Sequence, residues 1–359
     1  MKEMFIVLDH TRTVLITVSD GSLPSNVGGG GNVRNILRRS FAIMKQRGWW
    51  ESIGGMDGFI QIFEQHKQDL LGIYGEFPEY KSFRQIIEVE YERWLTTDEA
   101  QAVNLKKLLQ KKKNKLTIDD WILAMTSWGI PVDTIAKISG TPAPGNLYYE
   151  IATRQEKVMK APEKILYNTI HLPETRSLYF EDNRKMDFTG SVIEVFANQL
   201  EENKRNLVIL DQSCYYPTSG GQAHDIGTLA IEGIEEPFNV VDVLKVGKCV
   251  LHKIDRELPA DFEAIGKTAQ GSVDPERRFQ LQAHHTGTHL VFAACRSVLG
   301  PHVWQAGAKK TDRKAHLDIT HFQSLTREQE QMIENKANRI INESHNISKG
   351  FMDKAEAEL

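Results

Sequence analysis

Near residue 170 the hydrophobic period of this chain changes, and that change excludes any fold built from one kind of element. Before it, apolar residues recur every three to four positions. In NVRNILRRSFAIMKQRGWW, Val33, Ile36, Leu37, Phe41 and Met44 line one face, with Arg34, Arg38 and Lys45 on others. Segments 57–75, 80–95, 98–113 and 117–127 repeat the pattern. Thr117, Asp119 and Asp120 supply the capping and acidic residues that start a helix at IDDWILAM. GTPAPGN (140–146) then breaks regular structure.

Beyond residue 170 come RSLYFED, GSVIEVFAN, RNLVILDQS, GTLAIEG, FNVVDVLKV and KCVLHKI. They are short, often alternating, rich in Val, Ile and Phe, and separated by turn residues, which predicts a small β-barrel or a strongly bent sheet. From Asp274 the helical period returns through ERRFQLQAHHTGTHLVFAACRSVL, followed by a short β section around AHLDITHF. A last amphipathic helix spans Thr326 to Asn346, with Thr326–Gln329 as a capping box. The predicted class is α+β and multidomain: an all-helical domain over 1–165, a small barrel over 166–272 and an α/β domain over 273–359.

Bulk properties narrow the function. The net charge of −4 argues against a generally basic, nonspecific nucleic-acid binder and leaves room for local basic patches. Three widely spaced cysteines imply no disulfide framework and fit a reducing, cytoplasmic setting. The start MKEMFIVLDHTR does not read as a secretory signal, and no apolar stretch reaches about 18 residues, so no membrane span is expected.

Several constellations could carry chemistry. His285-Thr-Gly-Thr-His289 places two imidazoles at i and i+4 on one helical face, half of a tetrahedral zinc site. The same pair also reads as two polar residues on a half-exposed face. Thr286 stands where a hydrolytic zincin would have glutamate, so that chemistry is not expected. Tyr215-Tyr-Pro-Thr-Ser-Gly-Gly-Gln222 ends in Asp225-Ile-Gly227. Gly220 and Gly221 let backbone approach a ligand, Gln222 offers a donor and an acceptor, and the Thr218 hydroxyl could meet a substrate hydroxyl or orient water. A plain hairpin turn accounts for the same residues.

Pro24-Ser-Asn26 and four glycines lead to Arg34, Arg38 and Arg39, a spacing that fits neither the Walker nor the dinucleotide fingerprint. Arg34 and Arg38, one turn apart, read either as a grip on a nucleic-acid backbone or as solvated surface. Lys106, Lys107, Lys111, Lys112, Lys113 and Lys115 read as a solvated face, with RNA contact as the alternative. Cys249 and His252 point to opposite faces of a strand and read as structural.

Four segments in order resemble the alanyl-tRNA synthetase family, in its archaeal or eukaryotic branch. They are DHTRTVLITVSDGSLPSN (9–26) leading to RNILRRSF (34–41), TSWGIPVD (126–133), CYYPTSGGQAHDIG (214–227), and HHTGTHLVFAACRSVLG (284–300) continued by QAGAKK and HLDITHF. The resemblance implies an internal fragment of an alanine–tRNA ligase with a helical tRNA-recognition domain, a barrel and an editing domain. Its partners would be the tRNA(Ala) acceptor stem and mischarged Ser- and Gly-tRNA(Ala), with no DNA and no membrane.

By that resemblance Asn26 and Asp133 straddle a G·U pair, supported by Arg34, Arg38 and Arg39 on the backbone. His285, His289, Gln222 and Thr218 form the editing set, with His285 and His289 as the first pair of Zn2+ ligands. The family's second ligand pair, CxxxH, is missing, so an incomplete zinc site and impaired editing are expected. The aminoacylation motifs are missing too, so ATP would be used only by a core outside this chain. Gly31 replaces a family tyrosine, which would loosen the loop at Asn26. A free-standing trans-editing hydrolase and an inert synthetase-derived RNA-binding protein are the alternatives.

Overall fold

The computed structural model describes residues 1–25, 28–75, 77, 82–113, 115–159, 167–346, 350 and 352–357. The chain divides into two compact units, Met1–Pro162 with Thr320–Leu325 and Glu163–Ile319 with Thr326–Leu359.

The first unit is built on eight helices among the described residues: α1 (Lys2–Ser19), α2 (Gly28–Gln46), α3 (Trp49–Ser52), α4 (Met56–Tyr74), α5 (Phe83–Lys111), α6 (Ile118–Thr126), α7 (Val132–Ser139) and α8 (Leu147–Met159). The 3.6-residue stripe of α2 buries Val33, Leu37, Phe41 and Met44, while Ile36 is partly buried. Phe41 is the hub. Its ring meets Trp50, Phe59, Tyr91 and Trp94, with centroids between 5.1 and 6.0 Å away. Such tilted and edge-on contacts add about 0.5–1.5 kcal/mol per pair beyond burial. A second cluster gathers Leu105, Leu109, Trp121, Ala124, Ile130, Ile135 and Leu147.

Segments 80–95 and 98–113 are not separate helices but parts of one, α5. The Thr96-Thr97 pair, which mimics a break in sequence, bonds back to the helix instead: Thr96 Oγ1 to the Glu92 carbonyl at 3.2 Å and Thr97 Oγ1 to that of Arg93 at 2.7 Å. The start of α6 has a full capping box between Thr117 and Asp120.

In the second unit, β2 (Asp187–Asn198), β3 (Lys204–Leu210), β5 (Gly227–Ile231), β6 (Phe238–Val246), β7 (Cys249–Ile254) and β8 (Thr268–Val273) close a barrel in the order β2-β3-β7-β6-β5-β8. Every barrel pairing is antiparallel. Phe188, Val208, Leu210, Leu229, Ile231, Phe238, Val243 and Val250 fill it. β1 (Arg176–Ser177) and β4 (Gln212–Ser213) pair in parallel beside it.

RSLYFED is mostly not a strand: after β1 it winds into α9 (Leu178–Glu181). Leu178 and Tyr179 are both buried, which a helical turn permits and one face of a strand does not. β8, unmarked in sequence, buries Ala269, Gly271 and Val273 in strict alternation. α10 (Pro275–Leu299) starts at the Asp274 cap and packs on α11 (Arg327–Asn342) and on the hairpin of β9 (Gln305–Lys310) and β10 (Ala315–Ile319). α11 opens with the capping box of Thr326 and Gln329.

Candidate functional site

In the helical unit the site residues come from α2, α5 and α7. Arg38 is buried and its Nε donates to Glu90 Oε1 at 2.7 Å; Arg34 Nε lies 2.9 Å from the same oxygen. One buried carboxylate on α5 thus holds two arginines a turn apart, and Arg34 Nη2 also donates to the Pro24 carbonyl at 3.3 Å. Gly129 precedes the Ile-Pro-Val-Asp turn with φ +65°, and a Cβ there would sit 2.8 Å from Arg38 Nη1, so glycine is needed on both counts.

Arg39 faces the other way. Its Nε donates to Asp133 Oδ2, its Nη2 to Asp133 Oδ1 at 3.3 Å, and its Nη1 lies 3.4 Å from His10 Nε2. Burial, and next the Arg39 charge, hold the His10 pKa below its ordinary value. Asp133 sits in the first turn of α7, where a carboxylate is favoured by the helix dipole, and keeps 54% of its side chain in solvent. An exposed, oriented carboxylate of this kind can accept from a base amino group. A cleft of about 180 Å³ opens beside Asn32, Arg34, Asn35, Arg38 and Gly129. Asn26 lies outside the described residues. Lys106, Lys107, Lys111, Lys112, Lys113 and Lys115 are all exposed, and Lys112 pairs with Asp120 at 3.4 Å.

In the second unit a loop from β4 to β5 is fastened to α10 at two points. At its base Arg278, 2% exposed, donates through Nε and Nη2 to Asp225 and through Nη2 to the Cys214 carbonyl at 2.5 Å. Asp225 also accepts from the Tyr216 backbone N–H at 2.7 Å. At its tip Ser219 and Gln222 exchange backbone hydrogen bonds around Gly220 (φ +57°) and Gly221 (φ +75°), a two-residue turn with both centres left-handed. Gly221 also lies so close to β9 that a Cβ would fall 2.1 Å from the Ala308 carbonyl oxygen.

Gln222, itself buried, presents Oε1 to His285 Nδ1 at 2.7 Å. A carbonyl oxygen only accepts, so Nδ1 carries the proton and Nε2 keeps its lone pair. The His285 and His289 rings stack, with centroids 5.2 Å apart and planes 17° from parallel. Burial, then the Lys310 and His289 charges, push the His285 pKa down. Thr218 does not join this pair; its Oγ1 lies 3.2 Å from His224 Nδ1.

Lys310 and His224 had no signal in the sequence beyond their residue types. Lys310 is buried, its Nζ donates to the Gly220 carbonyl at 2.9 Å, and burial lowers its pKa. His224 Nδ1 lies 3.0 Å from Asp242 Oδ1. His252 is fully buried between Ser213 Oγ (2.7 Å) and the Val208 carbonyl (3.0 Å), and burial pushes its pKa down to about 4.

His285 and His289 supply two nitrogens of the kind zinc takes. A structural zinc takes four ligands, and no group of three or more His, Cys, Asp or Glu able to hold a metal occurs among the described residues. The described residues therefore do not complete a zinc site.

The family described as tRNA synthetases class II (A) matches residues 1–277. The chain is similar to the alanine–tRNA ligase of Ignicoccus hospitalis, 35% identical over 99% of this chain and 39% of the relative. It is 36% identical to that of Methanocella arvoryzae, over 100% of this chain and 38% of the relative. Against that of Archaeoglobus fulgidus the identity is 35%, with 100% and 38% covered. The chain thus spans less than two-fifths of the length of these relatives.

Proposed function

Because the chain belongs to the class II (A) tRNA synthetase family, we propose that it serves an alanine–tRNA ligase in two ways, selecting tRNA(Ala) and clearing it of wrong amino acids. Ligation of alanine to tRNA is the activity for which the relatives are named, and we extend it to the protein in which these segments work. The helical unit reads the acceptor stem, with Asp133 as a base-edge acceptor oriented by Arg39 and with Asn26 as its counterpart. Arg34 and Arg38, both tied to Glu90, stiffen α2 as the platform for that contact.

The second unit hydrolyses Ser- and Gly-tRNA(Ala). An alanine pocket cannot reject glycine or serine well enough on binding energy alone, so a hydrolytic second sieve is required. The observation that carries this reading is the 2.7 Å contact between Gln222 on the glycine turn and His285 on α10. It fixes the imidazole beside an exposed Thr218–Gly221 loop, where backbone can close on the 3′ end of a tRNA. Zinc, where further donors complete its shell, would be held by His285 and His289 and would order the terminal adenosine.

The test is deacylation of Ser-tRNA(Ala) by the full-length protein that contains these 359 residues. Hydrolysis that is lost on Gln222→Ala is the expected outcome. Ser-tRNA(Ala) left intact by the unaltered full-length protein would refute the editing role.

A further inference from the structure

The loop that carries Gln222 also carries His224. Its Nδ1 lies 3.0 Å from Asp242 Oδ1 on β6 and 3.2 Å from Thr218 Oγ1. The frame around it is fixed. The Thr218 backbone N–H donates to the Val243 carbonyl at 3.1 Å, one residue beyond Asp242, and Arg277 Nε donates to the His224 carbonyl at 3.1 Å. A carboxylate can only accept, so the proton between His224 and Asp242 sits on Nδ1. The hydrogen bond from His224 also holds the Asp242 carboxyl below the usual range.

Two consequences follow from that tautomer. Nε2 keeps a lone pair, and among the described residues it makes no hydrogen bond, while a quarter of the side chain (25%) reaches solvent. The Nδ1–H is shared with Thr218 Oγ1 as an acceptor, which leaves the Thr218 hydroxyl hydrogen for a ligand. His252 shows the contrasting arrangement, a ring of the same type sealed in the barrel wall with both nitrogens engaged.

We propose that His224, oriented by Asp242 and seated beside Thr218, is the proton acceptor for the hydrolytic water; this rests on the editing reading above. The water oxygen bonds to the ester carbonyl carbon as its proton passes to His224 Nε2. The bond between that carbon and the terminal ribose oxygen then breaks, and the proton on Nε2 goes to the departing oxygen. The products are the free amino acid and the tRNA hydroxyl, with one water consumed. Asp242 is a positioning residue: it fixes the tautomer and does not meet the substrate.

The experiment is single-turnover deacylation of Ser-tRNA(Ala) by the full-length protein that contains these 359 residues and its His224→Gln, His224→Ala and Asp242→Asn variants. Glutamine can still donate to Asp242 but cannot take the proton. His224→Gln is expected to lose about 100-fold or more in rate, the usual size of a general-base contribution, with unchanged substrate affinity and melting temperature. Free imidazole should restore part of the rate of His224→Ala. In 15N spectra the Nδ1–H tautomer of His224 should be present in the unaltered chain and depleted in Asp242→Asn. A wild-type rate in His224→Gln, or a lost rate that imidazole does not restore, would overturn the assignment while leaving editing intact. An unaltered full-length protein with no activity would overturn the editing reading and this inference with it.

Discussion

Arg39 on α2 grips Asp133 on α7 with two prongs, Nε on one carboxylate oxygen and Nη2 on the other. The carboxylate is thereby aimed without being hidden, since about half of it stays in solvent. Asp133→Ala should reduce the preference for a G·U over a G·C acceptor stem by roughly tenfold, the scale of one good base contact. Arg39→Ala should do the same to a smaller degree, because the carboxylate remains but loses its aim. Asn26→Ala is expected to act in the direction of Asp133→Ala. Competition binding with the two stems reads the ratio, and an unchanged ratio in Asp133→Ala would remove it from base reading.

His285 has its Nδ1 occupied by Gln222, so its Nε2 is the nitrogen available to a metal or a ligand. His285→Ala should lower any zinc the chain retains. Gln222→Ala should weaken zinc retention by about 10-fold or more, as loss of a ligand's hydrogen-bond partner commonly does. Elemental analysis after gel filtration measures both, and equal zinc in unaltered and His285→Ala protein would exclude His285 as a ligand.

Arg278 and Asp225 form an ion pair from which water is excluded, with side-chain exposures of 2% and 0%. Arg278→Met should cost about 3–5 kcal/mol, because it strands a buried carboxylate. Adding Asp225→Asn should return part of that loss by removing the charge. Urea midpoints of the three proteins decide it; a single variant as stable as the parent would show that the pair carries no such weight.

His252 ties barrel stability to pH. Its folded pKa of about 4 lies below the ordinary 6.5, so between those values the unfolded chain takes up a proton that the folded chain refuses. The stability from this group is fully present above about 6.5 and is lost as pH falls toward 4, at about 1.4 kcal/mol per unit. Hydrogen-exchange protection of the barrel strands should therefore fall by about 2 kcal/mol from pH 7 to pH 5. His252→Gln should flatten that slope, and an equal slope in both proteins would place the effect on other groups.

What could be read in the sequence were features held within one element. The stripe of α2 and the shared face of His285 and His289 follow from helical period alone. β8 could not be read, because Thr-Ala-Gln-Gly-Ser-Val has few branched residues; its Gly271 is there to admit the Phe188 ring, which a Cβ would meet at 2.3 Å. Nor could Lys310, whose type signals surface. It is buried because its ammonium finds a carbonyl 90 positions earlier in the chain. Gln222 and His285 lie 63 positions apart, and only the closed loop brings them together.

The double fastening of the loop to α10 has a consequence for how these segments can vary. Arg278 and His285 are two turns apart, about 10.5 Å of rise. Their partners Asp225 and Gln222 run the opposite way, three residues apart, a span of at most about 10–11 Å when extended. The two lengths act as the jaws of a caliper. One residue inserted between Gln222 and Asp225 leaves slack that releases an anchor, and one residue inserted in α10 swings His285 by about 100° off its partner. The loop and the helix can therefore exchange side chains away from these four anchors but can change length only as a matched pair.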